Sequence, residues 1–286
     1  MDIQLGIIFA VLSAVSWALC DYFSMSTVRK YSVPVIFFLM HLVGFLIFSA
    51  ITLFCYGIPQ MSLEDMVLMA VCGIGNAVAY LAYFMGLRSG KLSIIAPISA
   101  CWVIPVAIVG VFVFKDSISA FAALGIATAI IGAILASFRL KDILSVNLSN
   151  AYAGAGFAAI SITGWAVSFS ILSVLVSRLG FLVPIMFMML FSMFPALVYL
   201  IRSKPGILGV KADYSIIGLG ILEALGYLAY NIALTLSYTT IVVTISSLYP
   251  VFALVLAWIF LKERLEINQY VGIALALLGI FLISLP

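Results

Sequence analysis

Ten apolar stretches, separated by short polar connectors, account for most of this 286-residue chain. With ends placed to within a few residues, they cover 4–25, 34–56, 66–87, 92–114, 118–138, 152–176, 182–201, 214–234, 240–261 and 267–285. Crossing the hydrocarbon layer takes roughly 20 mostly apolar residues per helix. Lipid offers no partner to backbone N–H and C=O groups, so such runs must be helices rather than open strands. The pattern predicts an all-α polytopic membrane protein of ten transmembrane helices, with connectors too short for a soluble domain. The opening "MDIQLG" lacks a basic segment and its apolar run is too long for a signal peptide, so the first run reads as an uncleaved span.

Composition agrees. Hydrophobic residues make up 66% of the chain and charged residues 8%, where a soluble domain carries about 25% charged residues; the mean hydropathy is +1.35. Cys20, Cys55, Cys72 and Cys101 are scattered inside spans without ligand spacing. They read as small buried hydrophobes, not as a disulfide framework or metal site. No basic stripe exists outside the connectors, which argues against a nucleic-acid partner.

The chain repeats itself. Residues 73–137 align without a gap on 220–284 at a shift of 147, with nineteen of 65 positions identical. "GIGNAVAYLAYFMGL" meets "GILEALGYLAYNIAL", Lys115-Asp116 meets Lys262-Glu263, and Gly125 and Gly132 meet Gly272 and Gly279. Near the start, "SAVSWA" (13–18) resembles "SITGWA" (161–166) at a shift of 148. Five spans are thus doubled to ten, with halves at 1–147 and 148–286.

An odd number of spans per half requires the halves to lie upside down to each other. The basic residues test this. In the first half Arg29, Lys30, Arg88 and Lys91 occupy connectors one and three, Lys115 alone the other two, and Arg139 and Lys141 follow in the central connector. In the second half the bias reverses: Arg178 stands alone against Arg202, Lys204, Lys211, Lys262 and Arg264. Over the whole chain, eleven basic residues fall on one side and two on the other. The positive-inside rule then predicts a cell-membrane protein with both termini extracytoplasmic. Inverted repeats with a site near the midplane are a transporter architecture. Both halves sit in one chain, so a monomer or a weak homodimer is expected.

The segment "ALTLSYTTIVVTISSLYPVFALVLAWIFLKERLEINQYVGIALALLGIFLIS" (233–284) resembles the second repeat of the EamA-like transporters of the drug/metabolite transporter superfamily. The likeness lies in the small-residue helix end, Pro250, the "KER" corner at 262–264 and the Gly272/Gly279 pair. The first repeat echoes it, with Asp116 in place of the usual Glu and with Pro105 two positions after the counterpart of Pro250. The resemblance implies a ten-helix bundle around a central cavity lined mainly by the first, third, fourth, sixth, eighth and ninth spans. It further implies small-metabolite cargo such as amino acids or amines, with transport often driven by protons.

Glu223 is the one acid in "GILEALGYLAYNIALTL" (220–236), near the centre of the eighth span. An acid at that depth costs about 2.5–3.5 kcal/mol on insertion scales, so it faces protein or water rather than lipid. Glu223, Tyr227 and Tyr230 share one helix face; their repeat mates are Asn76, Tyr80 and Tyr83. Glu223 is either a proton-coupling and substrate-binding group or hydrogen-bonding glue between helices. Trp17 and Trp165 are repeat mates near span centres and, with the tyrosines, Trp102 and Tyr249, offer ring faces to an amine or quaternary ammonium group. Asp21 reads as an interfacial or solvated residue beside Arg29 and Lys30. His41, the only histidine, is a second candidate for proton coupling or a hydrogen-bonded packing group. Asn231 is a secondary cavity donor. Pro97 and Pro105 bracket "ISACW" and Pro250 follows "ISSLY"; proline frees helix carbonyls, placing Ser99 and its mate Ser246 beside polar breaks or plain packing kinks.

The leading expectation is a secondary active transporter of a small organic metabolite, an amino acid or amine, working by alternating access and driven by protons or gradients. No Walker sequence and no cofactor motif is present. Cationic drugs or quaternary ammonium compounds are the alternative cargo. A membrane receptor or scaffold without transport is the alternative of another class. An enzyme is disfavoured by a single histidine and the lack of H-E-x-x-H or G-x-S-x-G.

Overall fold

The computed structural model describes residues 2–89, 99, 101–138, 148–203, 214–262 and 264–285. The start of the fourth expected span with Pro97, the residues Lys91, Arg139, Lys141, Lys204, Lys211 and Glu263, and the junction of the two halves lie outside the described residues.

The described chain folds as helices: α1 Ile3–Lys30, α2 Val33–Ile51 with a π-helical turn Thr52–Tyr56, α3 Leu63–Ser89, α4 Val103–Phe112, α5 Ala120–Ala136, α6 Leu148–Leu179, α7 Val183–Ser203, α8 Tyr214–Leu236, α9 Thr239–Ser246, α10 Tyr249–Leu261 and α11 Ile267–Ser284. Among the described residues, eight stretches are long and apolar enough to cross a membrane, counting α9 and α10 as one interrupted span; α4 and α5 are shorter apolar helices. Every one of the ten expected spans therefore has its helix. The interruption in the ninth span falls at Ser247–Leu248, with Pro250 in the first turn of α10, where a missing N–H costs nothing. In the fourth span, Cys101–Trp102 form a turn just before α4, close to the repeat-related place.

Packing follows the internal repeat. α1 lies on α8 as α6 lies on α3; α2 meets α8 as α7 meets α3; α2 and α7 pack on each other, as do α5 and α11. Exchanging the halves maps each interface onto its partner. The α5–α11 seam shows the direction of that exchange. A Cβ at Gly125 or Gly279 would stand 2.7 Å from the other's carbonyl oxygen, and the same holds between Gly132 and Gly272. Only glycine lets the two backbones approach so closely. Gly125 opposite Gly279 and Gly132 opposite Gly272 means that the two helices run antiparallel, so the halves are inverted. The corner after each ninth-type span repeats as well, with Lys115 at φ 58° and Lys262 at φ 52°, both left-handed.

Two polar clasps join the halves at the end where only Lys115 and Arg178 supply basic charge. Arg178 reaches Glu64 at 2.9 Å and Asp65 at 3.3 Å. Asp116 accepts hydrogen bonds from the Thr240 backbone N–H and hydroxyl, both at 2.8 Å. The second clasp ties down α9, whose eight residues are all buried.

Candidate functional site

A central cavity lies where the six implied spans converge. α1 supplies Trp17, Cys20 and Asp21; α3 supplies Tyr80 and Tyr83; Trp102 comes from the turn before α4. The second half supplies Trp165 and Phe169 from α6, Glu223 from α8 and Tyr249 from α10. Space open to the centre of a water molecule is only about 20 Å³, room for one or two waters. An organic cargo therefore requires the walls to part.

Helix periodicity places these side chains. Trp17 and Asp21 are one turn apart on α1, and Trp165 and Phe169 hold the repeat-related positions on α6. Trp17 seats against α8 because residue 226 is glycine: a Cβ there would collide with Nε1 and Cδ1 of the Trp17 ring. Rings close the cavity on one side. Trp102 stacks on Phe169 with centroids 4.4 Å apart, Phe169 meets Tyr230 at 5.1 Å, and Trp17 meets Tyr227 at 5.4 Å. Trp165 stands 5.3 Å from both Tyr80 and Tyr83.

Polar contacts separate the residues that are locked from those left open. Asn76, the repeat mate of Glu223, is fully engaged. Its Nδ2 donates to His41 Nε2 at 3.1 Å and to Ser192 Oγ at 3.3 Å, and its Oδ1 accepts from the Tyr227 hydroxyl at 2.8 Å. His41 Nδ1 donates to the Phe37 carbonyl at 3.1 Å, so both ring nitrogens are occupied in a neutral imidazole. Glu223 has no such cage. The Cys20 thiol donates to its Oε2 at 3.5 Å, while Oε1 is buried without a partner among the described residues. Leaving a carboxylate oxygen so exposed to an apolar interior is costly. Asp21 is half-buried and accepts from the Tyr83 hydroxyl at 3.3 Å. The Tyr249 hydroxyl and Trp17 Nε1 are also buried and unpaired among the described residues.

Of the residues singled out from sequence, Trp17, Tyr80, Tyr83, Trp102, Trp165, Glu223 and Tyr249 line the cavity together. Tyr227 and Tyr230 sit one layer away in the ring cluster, and Asn76 and His41 lie in the adjoining hydrogen-bonded group. Three others are not among its lining residues. Asn231 donates to the Phe181 carbonyl at 3.0 Å, Ser99 pairs with Ser161 at 3.0 Å, and Ser246 donates to the Ala10 carbonyl at 3.3 Å. Cys20, Asp21 and Phe169 are lining residues that the sequence reading did not select. Asp21 lies three residues from the end of the span Ile3–Ser24, as expected, and also lines the cavity. Its spacing from Trp17 was the available signal. Among the described residues no three His, Cys, Asp or Glu side chains gather as metal ligands.

Comparisons with known proteins agree with this architecture. An uncharacterized transporter of Archaeoglobus fulgidus is 27% identical over 208 residues, 72% of this chain and 71% of that protein. An uncharacterized protein of Methanocaldococcus jannaschii is 39% identical over 72 residues, 25% of this chain and 52% of that protein. A solved crystal structure superposes with a TM-score of 0.77 at 15% identity, covering 99% of this chain and 96% of the other, and so shares the fold. The EamA-like transporter family model matches twice, at residues 4–138 and 152–285. The chain belongs to the EamA-like transporter family.

Proposed function

We propose that this protein is a secondary transporter of small organic amines, exchanging cargo for protons at Glu223 by alternating access to the central cavity. The observation that carries the reading is the buried Glu223 carboxyl with one oxygen unpaired, facing a ring-lined cavity. An ionisable group inside a membrane protein is functional by default, and a carboxylate among aromatic faces suits an ammonium group. Of the two candidates for the proton, the hydrogen bonds favour Glu223. His41 has no ring nitrogen left for a second proton unless the Asn76 bond breaks. The surrounding rings also suit quaternary ammonium compounds, which the same assay separates from primary amines.

The test is uptake into proteoliposomes across an imposed pH gradient, with pools of amino acids, primary amines and quaternary ammonium compounds. Wild type is expected to move an amine with the gradient. Glu223→Gln is expected to lose the gradient dependence. Equal transport with the same pH response in both proteins would make Glu223 structural and sink the proposal.

A further inference from the structure

We infer that the cavity holds two positive charges at once and that its preferred cargo is an α,ω-diamine, with one ammonium at Asp21 and the other at Glu223. The inference rests on the amine reading above and narrows it.

Both carboxyl groups line the same cavity, and none of the described residues around it is Lys, Arg or His. The ion pairs of Arg178 are formed with Glu64 and Asp65, so they neutralise neither acid. Each cavity acid has one modest neutral partner: a tyrosine hydroxyl at 3.3 Å on Asp21 and a thiol at 3.5 Å on Glu223. Two carboxylates withdrawn from water need two compensating positive charges, supplied by protons or by cargo. A zwitterionic amino acid brings a carboxylate of its own and finds no basic side chain here to receive it.

Most of the cavity's other lining residues are aromatic. Tyr83, the partner of Asp21, lies against Trp165, and so does Tyr80, and all three rings line the cavity that both acids line. The cavity thus offers two acids and a ring face. A diamine has the matching parts, two charges and a methylene chain. Its chain would lie along the Trp165 face, and its ends would replace the weak hydroxyl and thiol contacts with charge-assisted ones. Asp21 and Glu223 come from different halves, on the helices α1 and α8 that pack on each other.

The experiment compares binding of 1,4-diaminobutane and 1,5-diaminopentane with butylamine and pentylamine, by calorimetry on the purified full chain. Wild type is expected to prefer the diamine by about tenfold or more, the size of one additional hydrogen bond to a charged group. In Asp21→Asn that ratio should fall to about one. Gly218→Ala, where a Cβ meets nothing within 4 Å, keeps both carboxylates and should keep the preference, and thermal unfolding checks that each variant is folded. Equal affinity of wild type for diamine and monoamine overturns the inference, as does an unchanged ratio in Asp21→Asn. Failure of the two proposals is distinguishable. If monoamines bind and are carried in a Glu223-dependent way without a diamine preference, only the two-charge inference falls. If no amine binds and Glu223→Gln changes nothing, the amine reading falls with it.

Discussion

At the scale of single residues, the repeat is most informative where it is broken. Asn76 and Glu223 occupy equivalent places, yet one is caged by His41, Ser192 and Tyr227 and the other keeps an oxygen free. A caged amide and a carboxyl with an oxygen unpaired among the described residues thus stand at equivalent positions of the repeat. The Trp17 seat is similarly specific. Adding a Cβ at Gly226 forces the indole to move, and overpacking of this kind costs about 1–3 kcal/mol. Gly226→Ala should therefore lower the thermal unfolding midpoint and the amine affinity together. Gly218→Ala is the control, because a Cβ there meets nothing within 4 Å. Equal effects of the two substitutions would remove the packing argument. Glu223 was legible in the sequence because a lone acid in an apolar run needs an explanation. Asp21 was not, because nearby Arg29 and Lys30 suggested a membrane edge. Which residues of other helices converge on Asp21 is a tertiary outcome that periodicity alone does not place.

At the scale of elements, the spans were legible almost throughout, since lipid leaves a long apolar run only one regular structure. The break in the ninth span was legible too, through Pro250. What remained hidden was the consequence of that break: it leaves α9 as a short, wholly buried plug held at its first turn by Asp116 of the other half. Removing that carboxylate unties two hydrogen bonds, and loss of a cap of this kind costs about 0.5–2 kcal/mol. Asp116→Ala should therefore let this end of the bundle open more often. The readout is labelling of Ser237→Cys, a buried position beside α9, by a membrane-impermeant maleimide with Cys55 replaced by serine. Faster labelling in Asp116→Ala is expected. An unchanged rate would show that α9 stays seated by apolar packing alone.

At the scale of the whole molecule, inversion ties sequence, fold and transport together. The glycines that align at a shift of 147 are those that cross antiparallel in the α5–α11 seam, so a pattern read along the chain reappears as a symmetry in space. The same inversion makes the reversal of basic residues a statement about sidedness. Arg178, one of two basic residues on the poor side, is matched there by Glu64 and Asp65. If the eleven-to-two bias sets orientation, Gln60→Cys and Ser177→Cys should react with an impermeant maleimide on intact cells. Lys30→Cys and Lys262→Cys, both at exposed positions, should react only after permeabilisation. The opposite pattern would turn the molecule over and place the α9 plug at the cytoplasmic face. Labelling of one position from each half on each side would instead contradict the inversion, because Gln60 and Ser177 share a face only when the two halves are upside down. The pair from different halves is thus the decisive comparison, and it needs no knowledge of the cargo.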